Sequence, residues 1–364
     1  MNSLEEARRL INDIDAEMAE LFCRRMQASE AVAAYKKEHG LKIRDTEREA
    51  EVIRRNAESI KDKTAREYYM LFLSEVMALS RAYQERLLSG MKVAYSGTAG
   101  AFAHIAACRL FPSATKLAYP DFAAAYAAVE AGVCDAVVLP TENSYNGEVG
   151  QVTDLMFSGN LYVNAVTELA VTQDLLAVPG ATLSDIKTVV SHPQALGQCA
   201  EFIREKGLAT QEYTNTALAA RYVAEKGDKS VAAIASAEAA ELFGLEILEK
   251  NLNASRNNTT KFAVFSRADN RYSAGEGGVH TVLMFTVRNE AGALARAVDI
   301  IGRHGFNMIT LRSRNRKELL WQYYFYVELE GDIAAENGRQ MLCELASCCD
   351  KLKIAGSFKK ENLS

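Results

Sequence analysis

Arg25 is the first residue whose position asks for a chemical explanation. Ile14, Met18, Leu21, Ala28 and Val32 recur at the four-then-three spacing of a helical seam, and Arg25 falls on that seam between Leu21 and Ala28. A guanidinium on an apolar face costs on the order of several kcal/mol unless it meets an anion. Lys36 follows four after Val32, and Arg48 and Arg8 are further cations that can converge with it. In a later helix, Ser80 and Gln84 interrupt an apolar face made by Tyr69, Leu73, Val76, Met77 and Leu87. Four cations and two neutral hydrogen-bonding groups facing inward fit a small dicarboxylate better than an acid–base reaction. The competing reading is an arginine that snorkels to the surface or pairs with a nearby glutamate. For Glu49 a structural reading is at hand, because Thr46-x-x-Glu49 spells a capping box.

A second group of candidates sits at the ends of β-rich runs: Pro140-Thr-Glu-Asn-Ser144, Ser191-His-Pro-Gln194 and Asn258-Thr-Thr-Lys-Phe262. Each alone is ordinary turn or cap chemistry. Three facing one cleft are a candidate site of neutral donors. Gly97 and Gly100 follow a strand, but their spacing is too short for a phosphate loop and no lysine follows. His192, between Ser191 and Pro193, is either an acid or a residue that orders its loop. A third candidate is Gly292-Ala293-Leu294 at a helix start, where backbone N–H groups can receive a carboxylate; the plain alternative is a helix start and nothing more.

These groups lie in three segments of different composition. Residues 1–89 carry 33 charged side chains, no proline and only Gly40, which means long solvent-facing helices. The expected order is a first helix of nearly 40 residues ending at Gly40, a second starting at Asp45 or Thr46, and a third from about Thr64 to Leu88. Three such helices bury little alone, so dimerisation is expected. Residues 90–271 hold all five prolines and alternate strands (93–96, 136–140, 188–191, 231–236, 261–265) with helices (121–131, 194–206, 215–227). That is crossover α/β architecture with ligands at strand ends, and the break around 150–180 predicts two lobes with a cleft. The polar, glycine-rich stretch 266–280 reads as a linker. The remainder predicts strand 280–287, helix 291–304, strands 307–314 and 320–331, helix 332–348 and strand 352–358, a ferredoxin-like βαββαβ order.

Charge and composition exclude several classes. The 364 residues carry 42 Lys and Arg against 47 Asp and Glu, and no segment is strongly basic, which argues against a nucleic-acid binder. No uncharged run reaches 18 residues, so no membrane helix is expected, and the acidic start does not read as a secretory signal. Seven cysteines form no pair-and-pair metal pattern, and a reduced, cytoplasmic setting follows. Neither a metal nor a cofactor is expected.

Residues 4–88 resemble the all-helical chorismate mutase family, through Arg8, Arg25 in CRRM, Lys36 in YKK, RDTERE at 44–49 and SRAYQ at 80–84. The resemblance implies two entwined protomers, with Arg8 supplied by the neighbour. It implies that Arg25, Arg48 and Arg8 clamp the substrate's carboxylates and that Lys36 and Gln84 face the ether oxygen. Glu49 would hold the ring hydroxyl, with Asp45 and Ser80 in support. A Claisen rearrangement needs a dianion held in its compact conformer and positive charge where the C–O bond breaks, so such a site suits it.

Residues 91–265 resemble prephenate dehydratase, through GTAGAFAHIAA, PTENSYNGEVG, VVSHPQALGQC, NTALAA, AAIAS and NNTTKFAVF. The resemblance implies that Thr260 is the catalytic threonine, with Asn143, Ser144, Ser191 and Gln198 lining the pocket and Glu142 in support. Lys261 stands where the family's Thr-Arg-Phe motif has arginine, and Gln173 where a histidine is usual; a lysine is a point charge in place of a fork. Residues 279–358 resemble the ACT regulatory domain, through GALARAVDIIGRHGFNM, LRSR and YYFYVELEG. This implies an amino-acid effector held by Gly292, Ala293, Leu294, Arg312 and Ser313, although Arg312 and Asn315 replace the customary glutamate and proline.

The expected organisation is therefore a helical domain at 1–89, a two-lobed α/β domain at 90–267, a linker at 268–278 and an ACT domain at 279–364. The implied substrates are chorismate and prephenate, the effector L-phenylalanine, and the assembly a homo-oligomer, dimer or tetramer. Two rivals remain: a monofunctional dehydratase whose helical domain only dimerises, and a non-catalytic amino-acid-sensing binding protein.

Overall fold

The computed structural model describes residues 3–253, 258–269, 278–315 and 323–361. Residues 270–277 of the expected linker and 320–322 of the expected strand 320–331 lie outside the described residues. The chain forms two compact units, Met1–Met91 and Lys92–Ser364.

The first unit is three helices, α1 (Leu4–Glu38), α2 (Thr46–Glu58) and α3 (Lys63–Ser89). Each starts at a side-chain cap: Ser3 Oγ accepts from Glu6 N–H, Asp45 Oδ1 from Arg48 N–H and Asp62 Oδ1 from Ala65 N–H. Because Asp45 is the cap of α2, its third helical residue is Arg48. The Thr46-x-x-Glu49 capping box therefore does not form, which corrects the expectation for Glu49. α1 buries only Met26, Ser29 and Ala33, while α3 buries Leu73, Met77, Ser80 and Gln84. The seam read from Ile14 to Val32 is a different stripe. In the single chain it is exposed, Leu21 at 56%.

The second unit opens with β1 (Lys92–Ser96), α4 (Phe102–Leu110), β2 (Thr115–Tyr119), α5 (Phe122–Glu130), β3 (Ala136–Asn143), β4 (Gly147–Glu148), α6 (Gly150–Ser158) and β5 (Tyr162–Ala170). The chain then builds a second lobe from β6 (Asp174–Ala177), β7 (Thr188–Ser191), α7 (Pro193–Gln198), α8 (Ala200–Glu205), β8 (Ala209–Glu212), α9 (Thr216–Lys226), β9 (Val231–Ala235), α10 (Ala237–Phe243) and β10 (Glu246–Glu249). The helix expected at 194–206 is two helices broken at Cys199. β11 (Thr259–Ser266) returns to the first lobe and lies antiparallel between β3 and β5.

The last segment runs β12 (Val279–Val287), α11 (Ala293–Arg303), β13 (Asn307–Asn315), β14 (Tyr323–Glu330), α12 (Glu336–Cys348) and β15 (Cys349–Glu361). Its strands lie in the order β13-β14-β12-β15, and β15 pairs in parallel with β5 through Lys360 and Glu361. A single ten-stranded sheet therefore runs from β13 to β2. The second lobe has its own five strands, ordered β10-β6-β9-β7-β8.

Period-two alternation explains why the last segment does not stand apart. Leu283, Phe285, Val327 and Leu329 form one core with α11 and α12 residues. Val282, Met284, Tyr324 and Phe358 belong to the core of the first lobe. Burying such a side chain contributes about 1.5–3 kcal/mol, so this shared face holds the segment firmly on the lobe.

Candidate active sites

In the first unit, α3 collects the groups read from sequence. Arg25 donates to Ser80 Oγ, and more weakly to Val76 O at 3.5 Å. Burial pushes the Arg25 guanidinium below its ordinary value. Glu49 Oε2 meets Arg81 Nη1 at 2.6 Å, bridging α2 to α3. Gln84 is buried, and its Oε1 has no partner among the described residues. Lys36 donates to Ile43 O across the α1–α2 turn. Arg48 is exposed and pairs with Glu51 at 2.7 Å, and Asp45 is occupied with its cap. Arg8 is exposed near the start of α1. Seventeen residues at 1.5 Å each separate it from Arg25 by roughly 26 Å along the helix, so Arg8 cannot join Arg25 within one chain.

In the second unit a cavity of about 360 Å³ opens between the two lobes. Its walls include Asn143 and Glu148 from the β3–β4 hairpin, Thr260 and Phe262 from β11, and His192, Gln194 and Gln198 from α7 and its cap. α4 begins at the cavity with Ala101, Phe102 and Ala103, and α9 with Asn215 and Thr216. Helix starts present N–H groups and the positive end of the helix dipole, so the cavity favours an anion. At Gly100, just before α4, φ is +84° and a Cβ would press on Ala217 and Leu242. Glycine there lets the two lobes close on one another.

Thr260 is nine-tenths buried in the cavity wall. Asn143 Nδ2 donates to Thr260 Oγ1 at 2.9 Å and to Asn258 Oδ1 at 2.9 Å. Asn143 Oδ1 in turn accepts from Tyr145 and Asn146 N–H, both at 3.0 Å, which fixes the hairpin turn. With one lone pair of Oγ1 engaged, the Thr260 hydroxyl proton is left to donate into the cavity. His192 Nδ1 accepts from Gln194 N–H at 3.2 Å, the loop-ordering role, and leaves Nε2 to carry the ring proton. Gln173 is buried at the wall with Oε1 unpartnered among the described residues.

Other expected pocket residues face elsewhere. Ser191 is fully buried and donates to Ile234 O at 2.6 Å, tying β7 to β9, so it is core and not wall. Ser144 is exposed and accepts from Thr259 N–H in the hairpin. Lys261 and Glu142 alternate with Thr260 and Asn143 and therefore point to the opposite face of the sheet. There Lys261 Nζ meets Glu142 Oε2 at 3.1 Å, and Arg312 of β13 meets Glu142 Oε1. Burial alone would raise the Glu142 carboxyl, but the hydrogen bond and charge of Lys261, then the charge of Arg312, hold it below its ordinary value. Arg312 is thus turned away from the expected effector group, while Ser313 is exposed on the other side of β13. Gly292 (φ +81°) caps α11, with Ala293 buried and Leu294 half-buried behind it. Glu148, Gln173 and the α9 start are wall residues that the strand-end pattern did not single out. The adjoining glycine in Asn-Gly-Glu and the departure at Gln173 were the available signals.

A prephenate dehydratase model matches residues 93–270, and a chorismate mutase type II model matches residues 7–85. The bifunctional chorismate mutase/prephenate dehydratase of Neisseria gonorrhoeae is 31% identical over 96% of this chain and 95% of its own length. The chain belongs to the bifunctional chorismate mutase/prephenate dehydratase family. Both activities of that family, an isomerase and a lyase of phenylalanine biosynthesis, are carried by this one chain. Among solved structures, one described as a quorum-quenching acylase, GqqA, is 33% identical with a TM-score of 0.69, covering 74% of this chain and 98% of its own. A prephenate dehydratase from Arthrobacter aurescens, solved with L-Phe, is 26% identical with a TM-score of 0.68 over 74% of this chain and 90% of its own. Among the described residues no helix is long and apolar enough to cross a membrane, and no group of His, Cys, Asp or Glu is arranged to hold a metal.

Proposed function

We propose that the cavity between the lobes is the dehydratase site and that Thr260 is its catalytic donor. In the reaction the bond from the ring carbon to its carboxylate breaks and carbon dioxide leaves. Its electron pair aromatises the ring as the C–O bond to the hydroxyl breaks. A threonine hydroxyl is too weak an acid to protonate the leaving group beforehand, but it can donate a hydrogen bond as that bond lengthens. The observation that carries this reading is the Asn143 to Thr260 hydrogen bond at a wall where two helices begin. Asn143 orients Thr260, Gln198 and Gln173 offer neutral donors, and the starts of α4 and α9 receive the substrate's carboxylates.

In the helical unit the proposed mutase site uses Arg25, Lys36, Arg48, Glu49, Ser80 and Gln84 of one protomer and Arg8 of a second. Lys36 and Gln84 face the ether oxygen. The Gln84 oxygen, unpartnered among the described residues, and the roughly 26 Å along α1 between Arg25 and Arg8 support a site that is completed by substrate and by another copy. The exposed apolar seam on α1 supports a homodimer with the long helices packed across the two-fold.

The last segment is read as a ferredoxin-like ACT regulatory domain over 279–364. The linker is placed at 268–278, the dehydratase domain at 90–267 and the mutase domain at 1–89. Its βαββαβ order and the L-Phe named for the Arthrobacter structure support feedback inhibition by L-phenylalanine held near Gly292, Ala293, Leu294 and Ser313. The test is a two-stage assay. Chorismate is supplied, and prephenate and phenylpyruvate are followed separately with and without phenylalanine. Sequential appearance of both, with phenylalanine suppressing the second, is expected. Prephenate that accumulates unchanged would remove the Thr260 assignment, and indifference to phenylalanine would remove the regulatory one.

A further inference from the structure

Two arginines of the C-terminal segment grip the hairpin that carries the dehydratase wall. In β3–β4, Glu142 and Glu148 are cross-strand partners, and Asn143 and Glu148 line the cavity. Arg312 and Arg314 are two apart on β13 and share its half-buried face. Arg312 takes Glu142. Arg314 Nη1 lies 3.5 Å from Glu148 Oε2, while its Nε and Nη2 reach the two oxygens of Asp154 at 3.1 and 3.4 Å. Tyr324 OH donates to Asp154 Oδ1 at 2.7 Å and accepts from Arg314 Nε at 3.1 Å. Burial opposes the Arg314 charge, but Asp154 and Glu148 outweigh it and raise the guanidinium above its ordinary value. Room for the guanidinium comes from Gly150, where any Cβ would collide with it. The other oxygen of Glu148, Oε1, is buried without a partner among the described residues.

Glu148 shares the face of its cross-strand partner Glu142, so its carboxylate lies behind the cavity wall with Arg312 and Arg314, and a carboxylate directly behind a site for a dianion is a liability. Uncompensated, it repels the substrate across a few ångströms of low-dielectric space. We infer that Arg314 is a positioning residue for the dehydratase reaction: it holds and neutralises Glu148 behind the cavity wall, and so sets the field that the substrate's carboxylates meet. Arg312 supports the same hairpin through Glu142. The inference rests on the reading of this cavity as the dehydratase site. It gives the C-terminal segment a part in substrate binding that is separate from any effector.

The test compares Arg314→Gln, Glu148→Gln and the double variant on the full chain with prephenate, with chorismate mutase activity of the same preparation as a folding control. Arg314→Gln is expected to raise KM for prephenate on the order of tenfold, with a smaller fall in kcat. Adding Glu148→Gln removes the uncompensated charge and is expected to recover most of that KM. Arg314→Lys, which keeps the charge but loses the fork, should fall between. A purely structural arginine would give a double variant no better than the single one, and that result, or an unchanged KM in Arg314→Gln, overturns the inference. Thr260→Val separates the two claims. If it keeps full dehydratase activity, the cavity reading itself fails; if it is inactive and Arg314→Gln is normal, only the role of Arg314 fails.

Discussion

The mutase and dehydratase regions solve opposite problems in opposite ways. The helical unit offers cations on exposed helices, with the buried Gln84 oxygen unpartnered among the described residues, and its Arg8 lies too far along α1 to meet Arg25 in the same chain. The two-lobed unit offers a walled cavity of neutral donors whose Thr260 is already oriented by Asn143. A rearrangement of a flexible dianion needs fixed positive charge around it, and long helices supply that best in pairs. Loss of carbon dioxide and water from a labile ring needs a few aimed hydrogen bonds and exclusion of solvent, which one chain folded into two lobes provides alone. On the proposed reading, oligomerisation is part of the first chemistry and need not be part of the second.

That contrast can be broken at several points. Lys36→Ala should cost the mutase about 3–4 kcal/mol of transition-state stabilisation, several hundredfold in kcat/KM, with dehydratase turnover of prephenate unchanged; steady-state kinetics on each substrate checks it. Thr260→Val should do the reverse, lowering dehydratase kcat on the order of a hundredfold while chorismate is consumed normally. Leu21→Glu, on the exposed seam, should weaken the helical pairing and lower mutase activity about tenfold or more at micromolar protein. Sedimentation would show whether the loss tracks assembly.

The smallest effect concerns Glu142. Its folded-state pKa lies below the ordinary value of 4.5, so its contribution to stability is complete above pH 4.5 and declines as the pH falls through the folded value. Thermal melts should show Glu142→Gln less stable than the parent by about 1 kcal/mol at pH 7, with the gap closing in acid.

The fold was legible wherever a local rule sufficed. Asp45 or Thr46 as a cap, Gly40 as a stop and the short β-rich runs at 188–191 and 231–236 are each decided within a few residues. The seam containing Arg25 was legible as a stripe but not as an exposed one, because burial in a single chain depends on which stripe α3 covers. Lys261, Glu142 and Arg312 were expected at substrate and effector. Strand alternation alone separates Thr260 from Lys261 and Asn143 from Glu142, yet which face meets the cavity is decided by the return of β11 between β3 and β5 and by the covering β13. Ser191 looked like a pocket residue because it ends a strand; its hydroxyl instead satisfies a buried carbonyl, a partner visible only once β7 and β9 are paired.

The central claim, a mutase site shared between copies beside a dehydratase site held within one, is tested most directly by mixing inactive variants. Arg8→Ala and Arg25→Ala chains, each without mutase activity, are combined and allowed to exchange subunits; Asn143→Ala and Thr260→Val are combined in the same way for the dehydratase. The account predicts that prephenate formation recovers to roughly a quarter of the parent rate, since half the dimers are hybrids and one of their two sites is intact, while the dehydratase mixture gains nothing. No recovery of the mutase, or recovery of the dehydratase, would contradict it.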